Sequence, residues 1–134
     1  MKVFLIITYC LLTGSTVFFI KSKQKVLTGQ EQFTVKVTTY MAVASQTDET
    51  PYITASGFKL NKKNPRKHRI VAVSRDLKKK LGFGKKIKLQ GTGSYDGVYV
   101  VEDVMNKRFK NRIDILINQK DKPVSFVSVT VVPL

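Results

Sequence analysis

Cysteine, histidine and acidic side chains are all scarce in this 134-residue chain. The single cysteine, Cys10, lies inside an apolar run, so residues 21–134 carry no thiol. A disulfide framework, a thiolate zinc site and a cysteine nucleophile are therefore excluded there. The one histidine, His68, stands in the basic loop sequence NPRKHRI and reads as a surface residue. With no second imidazole, a histidine metal cluster is excluded. A Ser-His-Asp triad would have to use His68, and no nucleophile elbow is present. The glycines of LGFGKKIKLQGTGSYDG (81–97) fit neither GxxxxGK[ST] nor a strand–GxGxxG–helix unit, so the usual phosphate cradles are excluded as well. Internal repeats and low-complexity segments are absent.

Positive charge, by contrast, is abundant: 24 Lys and Arg against 9 Asp and Glu, a formal net charge of +15. It is spread through KSKQK, NKKNPRKHR, LKKK, GKKIK and NKRFKNR rather than gathered in one tail. Such a surface attracts polyanions, whether nucleic acid, anionic lipid or anionic cell-wall polymer, or it serves solubility alone. One long apolar run exists, residues 3–20, with Lys2 before it and Lys21, Lys23 and Lys25 after it. Its length sits near the lower limit for a membrane span, roughly 17–25 residues. Residues 1–25 read as a signal-anchor that forms an apolar helix and holds the chain to a membrane, or else as a cleaved signal peptide. Cleavage after Ser15 would leave a chain starting Thr-Val-Phe-Phe-Ile, a poor site, and bulky Tyr9 argues against a lipid-bearing Cys10. Residues 26–35 then form a tether, and residues 36–134 are the one domain that this length allows.

That domain has a β pattern. FTVKVTTYM (33–41) alternates apolar Phe33, Val35 and Val37 with polar neighbours. RIVAVS (69–74), KIKLQG (86–91), GVYVVED (97–103), RIDILIN (112–118) and VSFVSVTVV (124–132) are further strand-like runs bounded by turn residues. YITASG (52–57) is a candidate short strand entering a glycine turn. One short helix is expected, with Ser74 capping RDLKKKLG, Asp76 in the first turn, Leu77 and Leu81 on one face and Gly82 at the stop. A second helical turn is expected over Asn106–Phe109. Six or seven short strands with brief connections describe an all-β domain, a small closed or nearly closed barrel with one or two short helices.

Most of the few acids have plain readings: Asp48 and Glu49 in a loop, Asp96 in a turn, Asp76 in the helix start. Asp103 and Asp114 do not, because they stand in the most strand-like runs of the chain. In RIDILI the alternation places Ile113, Ile115 and Ile117 on one face, with Asp114, Leu116 and Asn118 on the other. An aspartate there is a poor strand former, and partial burial costs free energy unless it is paired or protonated. Two readings follow. One is an ion pair with Lys107, Arg108 or Arg112; the other is a general acid whose pKa is raised by an apolar wall and a neighbouring carboxylate. TASG (54–57) supplies two hydroxyls and a glycine ahead of a basic loop, a pattern that also describes an ordinary turn.

Taken in order, Thr39-Tyr40, TASG, IVAVSRDL (70–77), LGFGKKIKLQG (81–91), YDGVYVVEDVMNKR (95–108) and NRIDILI (111–117) resemble the Asp-Asp-Asp ("3D") domain. That family is a six-stranded double-psi β-barrel, related to the barrels of membrane-bound lytic transglycosylase A and rare lipoprotein A. The resemblance spans residues 36–132. It implies a cell-envelope protein acting on peptidoglycan, a lytic transglycosylase that cleaves the MurNAc–GlcNAc bond, or a barrel that only binds the glycan. It places Asp114 at the position of the catalytic acid and Asp103 at that of the second aspartate. The first aspartate corresponds to Asp76, displaced by two from the family's AVD, with Ser74 in its usual place. The family's DTGG turn is replaced by Asp103-Val104-Met105-Asn106. Tyr40, Thr54, Ser56, Gly57 and Ser74, with Thr39, match positions along the groove and would bind sugar hydroxyls. The resemblance implies no metal and no organic cofactor, a monomer, and peptidoglycan strands rather than nucleic acid as the partner. It places the chain in a bacterial envelope, anchored to the inner membrane and facing the periplasm or wall, or secreted if the signal is removed.

Overall fold

In the computed structural model the described residues are 29–134; the apolar run 3–20, with its signal-anchor and signal-peptide readings, and Cys10 lie outside them. Among the described residues no helix is long and apolar enough to cross a membrane. Six strands form: β1 (Phe33–Met41), β2 (Ile70–Val73), β3 (Lys86–Gln90), β4 (Gly97–Val104), β5 (Arg112–Ile117) and β6 (Ser125–Pro133). β1 begins at Phe33, three residues earlier than the tether boundary suggests, because Val35 is already buried and Phe33 packs against the same core. The strands close into one barrel in the order β1-β5-β2-β4-β3-β6.

The β1/β5 and β2/β4 pairs are parallel, and the β2/β5, β3/β4, β3/β6 and β1/β6 pairs are antiparallel. Exchanging β1, β2 and β3 for β4, β5 and β6 leaves this pairing scheme unchanged, direction included. The barrel therefore has a pseudo-two-fold arrangement, with the β2/β5 pair mapped onto itself. Parallel neighbours cannot be joined by a tight hairpin. β1 and β2 are not neighbours, since β5 lies between them, so the long connection, residues 42–69, has to cross the outside of β5.

Two apolar clusters result. The interior holds Val35, Val37, Val71, Val73, Ile113, Ile115 and Ile117, with residues of β3, β4 and β6. A second cluster lies on the outer face of β1-β5-β2-β4, where Tyr40, Ile70, Ala72, Met105 and Leu116 meet Ala42 and Leu60 of the long connection. β2 is consequently buried on both faces and reads as an unbroken apolar run.

The expected helix is shorter than its pattern suggests. α1 spans Arg75–Lys78, and Leu77 and Leu81 both enter the interior cluster. Ser74 stands at the cap position but makes no side-chain cap; its Oγ accepts the Arg112 N–H at 3.0 Å instead. Asn106–Phe109 closes as a turn, Phe109 N–H donating to the Asn106 carbonyl at 3.0 Å, rather than as helix. Segment 52–57 contributes a single bridge, Ile53 with Lys59, instead of a strand. Two further short helical turns cover Pro65–His68 and Gly93–Tyr95. His68 proves to be a partly buried brace: its Nε2 accepts the Asn61 N–H at 3.0 Å and its ring meets Phe58 edge-on.

Candidate functional site

Register sets the site. On the outer face, Thr38 of β1 stands opposite Asp114 of β5, Asp114 opposite Ala72 of β2, and Ala72 opposite Asp103 of β4. One row across four strands thus places a carboxyl on either side of an alanine, whose methyl leaves room above it. Asp103 joins this row through a local irregularity. Tyr99 and Val101 point inward, and strict alternation would send Asp103 inward too. The register shifts between Val71 and Ala72, so Glu102 is the extra residue of a bulge and Asp103 turns outward.

Ala72, Asp103 and Asp114 of this row form the floor of an open pocket of about 670 Å³. Residues 45–55 of the long connection form one wall, and Arg75 with the β4–β5 turn, including Met105, Arg108 and Phe109, forms the other. Asp114 accepts a short hydrogen bond from the Thr38 hydroxyl. Burial pushes its carboxyl up to about 6, and the Arg112 charge opposes this only in part. Asp103 accepts three hydrogen bonds, from Tyr40 Oη at 3.0 Å, Ala55 N–H at 3.1 Å and its neighbour Val104 N–H at 2.9 Å. Burial, the Asp103 charge and hydrogen bond, and then Asp114 hold the Tyr40 phenol well above its ordinary range. Among the described residues neither aspartate has a cation within ion-pair distance; the pairs formed are Arg66–Asp121 and Lys80–Glu31.

The sequence-derived residues separate into two groups. Asp114, Asp103, Tyr40 and Thr39 line the pocket. Thr54, Ser56, Gly57, Ser74 and Asp76 do not line it, and each has a structural engagement close by. Thr54 and Ser56 bond to each other at 2.9 Å, Thr54 Oγ1 also accepts the Phe58 N–H, and Ser56 donates to Glu102. Gly57 closes that turn with φ +89°, a conformation strained for any other residue. Asp76 accepts the Asn111 N–H at 2.9 Å and so ties α1 to the turn before β5. Burial would raise its carboxyl, but the Ser74 hydroxyl and the Asn111 and Asp76 N–H groups bring it below its ordinary value.

Sequence reasoning missed Thr38, Arg75 and Phe109, and offered Arg108 only as an ion-pair partner, whereas it lines the pocket wall. Thr38 had a signal, since alternation from Val35 and Val37 points it outward, but its partner follows only from the parallel pairing with β5. No group of three or more His, Cys, Asp or Glu side chains comes together among the described residues. The fold and pocket define a closed six-stranded mixed barrel that presents a raised-pKa carboxyl in an open cleft. No protein-family model matches the chain, and no curated protein sequence matches it.

Proposed function

We propose that this is a double-psi barrel of the Asp-Asp-Asp type and that its pocket cleaves peptidoglycan as a lytic transglycosylase in the bacterial cell envelope. The barrel reading is supported by the exchange symmetry of the strand pairing. The observation that carries the activity is Asp114, a carboxyl raised to about 6 at the floor of an open pocket. At neutral pH about a tenth of such a group holds its proton. Donated to the oxygen that links MurNAc to GlcNAc, that proton lets the bond to the anomeric carbon break. The exocyclic hydroxyl of the same MurNAc then closes onto that carbon and returns its proton to Asp114, so no water is consumed. One carboxyl serves as acid and then base, whereas ordinary glycosidases divide these roles between two. Across Ala72, Asp103 faces the positive charge that develops on the sugar and holds Tyr40 in place.

A second reading is a barrel that binds peptidoglycan without cutting it. It is favoured by Asp76, whose carboxyl is engaged with Asn111 N–H rather than lining the pocket. Incubating the full chain with purified sacculi and identifying released muropeptides by mass separates the two. The enzyme releases anhydro-muropeptides, and Asp114→Asn lowers the rate at least ~100-fold. Undiminished release by Asp114→Asn removes Asp114 from the chemistry. Pelleting with sacculi and no release by the wild type establishes the binding barrel.

A further inference from the structure

A second cavity, about 460 Å³, opens farther along the same parallel pair. β5 supplies Asp114 to the first pocket and Ile117 to the second, three residues or roughly 10 Å onward. The segment Pro51-Tyr52-Ile53 is their common wall, Pro51 and Ile53 facing one pocket and Tyr52 the other. The second cavity is ringed by Lys62 and Lys63 from the long connection and by Lys120 from the turn after β5.

All three lysines are exposed, but the loops that carry them are fixed. Their two loops are tied together through Asn118: its Oδ1 accepts the Arg66 N–H at 3.0 Å, and its Nδ2 donates to Asn64 Oδ1 at 3.0 Å. Asn61 Oδ1 accepts the Lys63 and Asn64 N–H groups and fixes the other loop. The backbone that carries the three like charges is thus fixed around one cavity by hydrogen bonds that do not involve the ammonium groups. The cavity's one carboxylate, Asp121, is committed elsewhere, to Arg66 Nη1 at 3.3 Å and Asn118 N–H at 3.0 Å. Among the described residues Lys62, Lys63 and Lys120 have no anionic partner, and Lys62 rests over the Tyr52 ring at 5.3 Å. A cationic cavity on a fixed loop framework, with its acid already paired to Arg66, is complementary to an anion.

We infer that the cavity ringed by Lys62, Lys63 and Lys120 is an oxyanion-binding site, taking a carboxylate or phosphate group. It stands on geometry separate from the Asp114 pocket and does not depend on the reaction proposed there. Titrating the full chain with sodium phosphate, and separately with sodium acetate, at constant ionic strength while recording backbone amide resonances tests it. Saturable shifts of Lys62, Lys63, Asn118 and Lys120 are expected with at least one of the two; phosphate alone points to a phosphate-bearing ligand, acetate to a carboxylate. The variant Lys62→Gln/Lys63→Gln/Lys120→Gln should bind about tenfold more weakly. Removing the same charge elsewhere, in Lys36→Gln/Lys86→Gln/Lys88→Gln, should change affinity less than twofold. Absence of saturation with both anions, or equal weakening by the two variants, overturns the site in favour of diffuse surface charge.

Discussion

At the scale of single residues, Asp114 makes a prediction that needs no substrate. Its carboxyl titrates at about 6 in the folded chain against 3.8 when unperturbed. Between those values the native state keeps a proton that the unfolded chain has released, so its contribution to stability falls as pH rises through that window. Above the window the ionised, partly buried group costs up to about 3 kcal/mol, at ~1.36 kcal/mol for each pH unit the window spans. Asp114→Asn should therefore melt several degrees above the wild type at pH 7.5, with the gap closing towards pH 4. Asp76, held below its ordinary value, works in the opposite sense: its stabilisation is present at neutral pH and lost on acidification. Both chains keep it, so the difference between their melting curves isolates Asp114; a gap that does not vary with pH would show that this carboxyl is not raised in the folded chain. The same proton governs the proposed reaction, whose rate should decline as pH rises above about 6.

At the scale of elements, the tightest constraint lies where β4 begins. Gly97 has φ +133°, and a Cβ there would stand 2.6 Å from Arg69 Nη2. Arg69 cannot move away without loss, because its guanidinium lies 4.1 Å over the Tyr99 ring and Nε donates to the Val98 carbonyl at 3.2 Å. Gly97→Ala should destabilise by about 2–3 kcal/mol, from backbone strain together with displacement of Arg69. In Arg69→Ala the displacement has nothing left to displace, so adding Gly97→Ala should cost only the strain, about 1 kcal/mol. Chemical denaturation of the four chains measures this; strict additivity would mean that the close approach has no energetic weight. The six strand-like runs read from the sequence each correspond to a strand, because alternation and β-branching are properties of neighbouring residues. The helix after β2 starts at Arg75 as its pattern suggests and stops at Lys78, where the Lys80 N–H turns to the Leu77 carbonyl three residues back. What pattern does not give is the partner of its cap residue. The Ser74 hydroxyl meets Arg112, 38 residues away in sequence, and is drawn to a strand N–H rather than to the helix start.

At the scale of the whole molecule, charge and closure dominate. With +15 in a chain of this length, attraction to an anionic wall should be strongly screened by salt. The Debye length shrinks from about 10 Å at 0.1 M to about 3 Å at 1 M. Co-sedimentation with sacculi should accordingly fall several-fold over that range. Retention unchanged at 1 M would assign binding to the pocket's short-range contacts instead. Closure explains why two short strands suffice in such a fold: β2 and β3 have four and five residues, yet every strand has a neighbour on both sides and no edge is exposed.

Local pattern was enough to identify the strands, the inward isoleucines of β5 and the outward side of Asp114, since side chains alternate along any extended chain. It was also enough to single out Asp103 and Asp114 as acids in need of an explanation. Which way Asp103 points was not legible, because the bulge at Glu102 is a mismatch between β4 and β2 and exists only once they pair. For the same reason Thr38 and Ala72 became part of the site only through register, and the lysines of the second cavity met only through Asn118. Hydrophobic periodicity acts between neighbours in sequence, whereas a pocket is assembled from residues that pairing brings together from four separate strands.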